Sequence, residues 1–204
     1  MFEFLKQLKN NRPMRVVVNG NPALRRRSEP IDQITEEVRD LAKQLTRSLV
    51  EGVTPGVGLA APQIGVNVRM IVVDTRLDEE PQDDALPGEL VLMQKMPVVL
   101  INPEIIPYGD ETATESEGCL SLPGITGNVT RPKTVVLRAR LLDGQTFSAT
   151  CGGLLARCLQ HEADHLDGIL FYDRLSEADR KRFRKQMDQL EKRELSLLRI
   201  DAAK

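Results

Sequence analysis

Apolar residues recur at Ile34, Val38, Leu41, Leu45 and Leu49, the three- and four-residue spacing that lines one face of a helix. Asp32 precedes the run as a candidate N-cap, and Glu36 and Glu37 stand where the helix dipole favours negative charge. Gly52 ends this amphipathic helix, and residues 54–65 are rich in glycine and proline, a loop whose backbone takes unusual angles or approaches something closely. Residues 70–74 and 98–101 are short apolar runs of the buried-strand type. Residues 76–96 between them mix acids, prolines and a glycine and read as a surface insertion, since strand pattern resumes directly afterwards. Val135, Leu137, Ala139 and Leu141 then alternate with Arg138 and Arg140, and Asp143-Gly144 followed by residues 145–150 completes a hairpin signature. A helix is predicted over residues 154–167, with Gly168 as its stop, and a long charged helix opens at Ser176 and Asp179 with a stripe of Phe183, Met187, Leu190 and Leu197.

Composition narrows the setting without deciding it. A chain of 204 residues suits one domain with its own hydrophobic core. A formal charge of −2 offers no global case for nucleic acid or membrane, so neither DNA nor membrane binding is expected. Three cysteines do not make a disulfide framework, and the odd count fits reduced thiols in a cytoplasmic protein. No apolar run approaches the length of a membrane span, and the opening Met1-Phe2-Glu3-Phe4-Leu5-Lys6 lacks the sustained apolar core of a secretory signal.

The chemistry is concentrated in one segment. Both histidines of the chain fall in His161-Glu162-Ala163-Asp164-His165, an HExxH pattern. Positions four apart share a helix face, so His161 and His165 present two imidazoles to one cation, with Glu162 alongside to handle the proton of a water that the cation activates. Leu154 and Cys158 continue that face, and Leu155, Leu159, Glu162 and Leu166 lie beside it, so the ligands fall on the buried side of the helix. A catalytic cation of this kind takes three protein ligands, and with no third histidine the remaining one is a carboxylate or a thiolate. Cys119 is the best candidate, because Gly118 before it leaves room for an ion and Leu120, Leu122 and Pro123 suggest a restrained, partly buried turn or edge strand. Cys151 and Cys158 have plain explanations as strand and helix core.

Three stretches, Gly56-Val57-Gly58-Leu59-Ala60-Ala61-Pro62-Gln63, Glu117-Gly118-Cys119-Leu120-Ser121 and the HExxH segment, resemble the three signature motifs of peptide deformylases, in the same order. Asn21-Pro22-Ala23-Leu24-Arg25 also resembles the start of that domain, so the likeness spans roughly residues 16–175. The resemblance implies a mononuclear site of Cys119, His161 and His165, usually holding Fe²⁺ in the cell, with Zn²⁺, Ni²⁺ or Co²⁺ in purified protein. It implies removal of the N-formyl group from the initiating methionine of new polypeptides, with Glu162 as base and then acid. Gln63 and the backbone N–H of Leu120 would hold the oxyanion. It further implies a peptide bound like an added strand between the backbones of Val57 and Gly58 and that of Gly118, and an apolar methionine pocket of Val57, Leu154, Cys158 and the ring of His161.

Two departures stand out. Arg157 occupies a position that is often apolar at the pocket rim, and the acids Glu115 and Glu117 precede Gly118. Both read as bearing on substrate preference and as clear of the ligands. Arg131 falls where arginine is frequent in the family. On the last helix, Arg180-Lys181-Arg182-Phe183-Arg184-Lys185 reads as a solvated face or as a dock for the ribosome. The rival readings are an HExxH endopeptidase, against which the thiolate ligand speaks, and a catalytically silent deformylase-like protein at the ribosome. The expected architecture is one α+β domain over residues 1–204, with a central ligand-bearing helix packed among antiparallel β-sheets and flanking N- and C-terminal helices. Within it, residues 76–96 form the insertion and residues 176–204 the C-terminal helix.

Overall fold

The computed structural model describes residues 12–76 and 85–202. Its elements are α1 (Glu36–Val50), β1 (Gly58–Ala60), β2 (Met70–Val73), α2 (Pro87–Met93), β3 (Val98–Pro107), β4 (Thr112–Gly118), β5 (Thr126–Pro132), β6 (Val135–Arg140), β7 (Thr146–Cys151), α3 (Gly153–Leu166) and α4 (Glu177–Ala202). The strands form a five-stranded sheet in the order β1-β2-β3-β6-β7 and a separate β4-β5 ribbon, every pair antiparallel. The fold is the expected α+β arrangement, with α3 as the central helix.

Strand β2 shows why the sheet is buried on both faces. Its alternate residues divide between two cores: Met70 and Val72 join Leu41, Leu45 and Leu49 of α1, and Ile71 and Val73 join Leu155, Cys158, Leu159 and Leu166 of α3. A third cluster joins Leu122, Ile125 and Val129 of the ribbon and its turn to Phe171 and to Phe183 and Met187 of α4. The ribbon and its turn thus pack towards α4, and β5 also contacts α3.

Several local expectations need correction. The side chain of Thr35, directly before Glu36, caps α1 by accepting the Val38 N–H, whereas Asp32 lies too far upstream and its carbonyl accepts from Arg140. Residues 54–65 are not wholly loop: Gly58–Ala60 pairs with β2 and Ala61–Ile64 forms a 3-10 turn, both too short to leave a periodic signature. The stretch 76–96 is not simply a surface insertion, because α2 buries Leu92 and the following Met96 in the main core. Residues 77–84 of it lie outside the described residues.

Helix α4 is bound into the domain by more than its apolar stripe. Ser176 caps it by accepting the Asp179 N–H at 3.1 Å. Glu194, fully buried, accepts both guanidinium ends of Arg15 at 2.7 and 2.8 Å and the Asn21 amide at 3.0 Å. Burial alone would raise this carboxyl, but the Arg15 and Asn21 hydrogen bonds outweigh it and hold the group below its ordinary range. A depressed carboxylate contributes stability above its ordinary pKa and loses it as pH falls through the folded value. Glu194→Gln is therefore expected to cost about 1–3 kcal/mol at pH 7. In urea melts, the gap to the native chain should close as the medium is acidified below about pH 4; a gap that persists there would assign the loss to packing. Arg180, Lys181, Arg182, Arg184 and Lys185 are exposed, as a solvated helix face requires.

Candidate metal centre

Helix α3 carries three of the chemically important side chains; Leu155, Leu159 and Leu166 pack on the sheet, while His161 and His165 turn towards Glu117 and Cys119. His165 is 1 % exposed and Glu162 is 4 % exposed, so neither is a surface residue that merely matches a pattern. The edge strand β1 comes unusually near this face. A Cβ at Gly58 would lie 2.6 Å from the Cys158 sulfur and 2.6 Å from Glu162 Oε1, so only glycine lets β1 pass there.

Cys119 arrives from the other side, on the turn that follows β4. The turn is closed by Leu122 N–H to the Cys119 carbonyl at 2.9 Å and Ile125 N–H to the Leu122 carbonyl at 3.1 Å. Cys119 Sγ stands 3.2 Å from His165 Nε2, and one donor atom from each of Cys119, His161 and His165 lies within 4.8 Å of the others. His161 has its Nδ1 engaged by Glu117 at 3.0 Å, which leaves Nε2 to face the cluster. Burial holds His165 well below its ordinary pKa, in the neutral form that offers a lone pair. A sulfur and two imidazole nitrogens converging in this way suit a tetrahedral site for a borderline divalent cation. The three residues fit a metal.

Beside the cluster, Glu162 Oε2 is buried with no hydrogen-bond partner among the described residues, and burial pushes this carboxyl up to about 7. Gln63, 1 % exposed, is held in one orientation: its Oε1 accepts the Ala60 N–H at 2.8 Å, so the amide Nε2 points at Cys119 Sγ at 3.6 Å and Ser121 Oγ at 3.3 Å. The cluster opens on a cavity of about 650 Å³. Val57, Gly58, Gly118, Leu120, Leu154 and Cys158 all line it, together with Gln63, Cys119, His161 and Glu162. His165 lies beneath it. Cys158 donates to the Val57 carbonyl at 3.4 Å, and burial keeps its thiol well above the ordinary range, so it forms a neutral wall.

The expectation that the acids before Gly118 stay clear of the ligands is wrong. Glu117 is buried and contacts His161 directly: Glu115 and Glu117, two apart on β4, share the face turned towards Arg157 of α3, and Glu117 is the deeper of the two while Glu115 stays at the rim. Arg131 of β5 meets Glu117 through two hydrogen bonds of 2.6 and 2.9 Å and also reaches Asp164 at 2.9 Å, and Arg174 joins Asp164 as well. Burial opposes the Glu117 charge, but Arg131 and His161 outweigh it and hold the carboxyl far below its usual range. His161, a candidate ligand, is thus held in position by a carboxylate. Arg157 does not project into the cavity as a free charge: Glu115, Glu117 and two backbone carbonyls take its donors.

Known proteins share this arrangement of chain and fold. The family model for polypeptide deformylase matches residues 13–181. Peptide deformylase 2 of Gloeobacter violaceus is 45 % identical over 163 residues, covering 80 % of this chain and 79 % of that one. Among solved structures, peptide deformylase 1B of Arabidopsis thaliana in complex with an inhibitor superposes with a TM-score of 0.73 at 34 % identity, over 88 % of this chain and 91 % of that one. A peptide deformylase from Synechococcus elongatus in complex with actinonin gives 0.70 at 33 % identity, over 87 % and 85 %. With that breadth of match in sequence and in structure, the chain belongs to the polypeptide deformylase family.

Proposed function

We propose that this protein hydrolyses the N-formyl group of formylmethionine at the start of newly made polypeptides, releasing formate and a free amine, with Cys119, His161 and His165 as ligands of one divalent ion. The observation that carries the reading is the convergence of that donor set with buried Glu162 and oriented Gln63 around one cavity. Fe²⁺ is the ion proposed for the cell, and Zn²⁺, Ni²⁺ or Co²⁺ suit the same donors in purified protein. When bound, the ion supplies Lewis acidity, lowering the pKa of water towards neutrality and polarising the formyl oxygen.

The chain's own residues do the rest. The cavity lies between the free edge of β1 and the end of β4, so an extended peptide pairs with the backbones of Val57 and Gly58 on one side and Gly118 on the other. Its methionine side chain enters past Leu154, Cys158 and the His161 ring. Glu162 Oε2 takes the proton of the attacking water and delivers it to the amine nitrogen as the C–N bond breaks. Gln63 Nε2 and the Leu120 N–H donate to the formyl oxygen as it gains charge. Two further features support the setting: none of the described helices is long and apolar enough to cross a membrane, and the three cysteines are free. Both accord with action in the cytoplasm on nascent chains.

The test is formate release from a formylmethionyl tripeptide by anaerobically prepared, Fe²⁺-loaded protein beside metal-stripped protein. Metal-dependent formate is the expected result. Its absence from protein shown to hold one equivalent of iron would favour the silent binding protein instead.

A further inference from the structure

The two halves of the ligand set come from different units of the fold. His161 and His165 stand on α3, whereas Cys119 follows β4 in a two-stranded ribbon that pairs with no other strand among the described residues. A cation leaves such a site only when at least one ligand withdraws, and here that means the ribbon moving away from the helix. What fastens the two together near the ligands is therefore what governs retention of the ion.

Arg131 reaches Asp164 and Gln160 reaches the Pro132 carbonyl across this junction, but among the described residues the most bonds across it are made by Arg157. It lies on α3 one turn before His161 and is buried, 8 % exposed. Its Nε donates to Glu115 Oε2 at 2.8 Å, Nη1 to Glu117 Oε1 at 2.7 Å and to the Val129 carbonyl at 3.1 Å, and Nη2 to the Ala113 carbonyl at 3.0 Å. One planar fork thus grips both strands of the ribbon, and Glu117, the carboxylate it holds, is the one whose other oxygen meets His161 Nδ1 at 3.0 Å. We propose that Arg157 is a positioning residue: through Glu117 and the β4 and β5 backbones it latches the cysteine-bearing ribbon onto the histidine-bearing helix, and it sets how long the metal ion stays bound. The role rests on the ligand set proposed above.

A purely electrostatic role makes the opposite prediction. Removing a cation from the surroundings of the ligands would leave them more negative and slow the loss of a divalent ion, and lysine would substitute for arginine. A latch needs the fork, and lysine has only a point charge to offer. The experiment loads the full chain with Co²⁺ and follows decay of the thiolate-to-cobalt charge-transfer band after addition of excess chelator. Compared are the native protein, Arg157→Met, Arg157→Lys and, as a structural control, Glu194→Gln. Loss about tenfold or more faster in both Arg157 variants, with Glu194→Gln unchanged despite its lower melting temperature, is the expected result. If the Met variant does not fold, the Lys variant decides alone. Loss at the native rate or slower, or acceleration that Glu194→Gln matches, would overturn the latch. A native protein that binds Co²⁺ without a thiolate band would instead remove Cys119 from the ligand set, and the latch with it.

Discussion

Replacing Glu162 with Gln is expected to lower formate release by about 10²–10⁴-fold while leaving the metal in place. Gln is nearly isosteric, so the close approach of Glu162 to Gly58 and Cys158 is preserved. What Gln cannot do is carry a proton from water to the amine. Before any ion is bound, burial pushes the native carboxyl up to about 7, so it holds a proton more readily than an exposed glutamate, as the proposed role asks. Its Oε2 also has no competing hydrogen bond among the described residues. Single-turnover rates and metal content measured on the same sample check this; a Gln variant of near-native rate would reassign the base.

Gln63→Glu is expected to lower kcat by at least about 10²–10³-fold, the usual cost of losing one oxyanion donor. The substitution is chosen for its economy. A carboxylate still accepts the Ala60 N–H that Gln63 Oε1 holds at 2.8 Å, so the 3-10 turn keeps its internal bond. The end facing Cys119 and Ser121 changes from donor to acceptor. Because the lost interaction forms as charge develops, KM should move far less than kcat. A variant in which KM rises and kcat stays would make Gln63 a residue that binds substrate and no more.

What the sequence makes legible follows from the distance over which its signals act. His161, Glu162 and His165 are separated by fewer than five residues on one helix, and helical geometry alone brings them together. Cys119 is readable as a candidate because the chemistry asks for a third ligand and, of three thiols, the other two have plain explanations as core residues. The network behind them is not readable in this way. Arg131 is 14 residues from Glu117, and Arg157 is 40 residues from it, so nothing local marks the pairs. An acid in a polar strand reads as solvated. The ribbon leaves little trace in the sequence because most of its residues on β4 and β5 are exposed or half-buried, which erases the alternation that reveals a strand. Helix α2 was hidden for a related reason: it has only seven residues and places Leu90 and Val91 outward beside buried Leu92.

The gap between β1 and β4 has a consequence for timing. On the binding mode proposed above, the opening between β1 and the end of β4 would admit a chain only while its first residues are extended and have no hydrogen-bonding partners of their own. Once those residues have been drawn into a helix, or paired into the new protein's own sheet, their backbone groups are spent and the formyl carbon no longer reaches Glu162. The enzyme thus competes with folding: a polypeptide whose N-terminus docks early has a shorter period in which its formyl group can be removed than one whose N-terminus stays free.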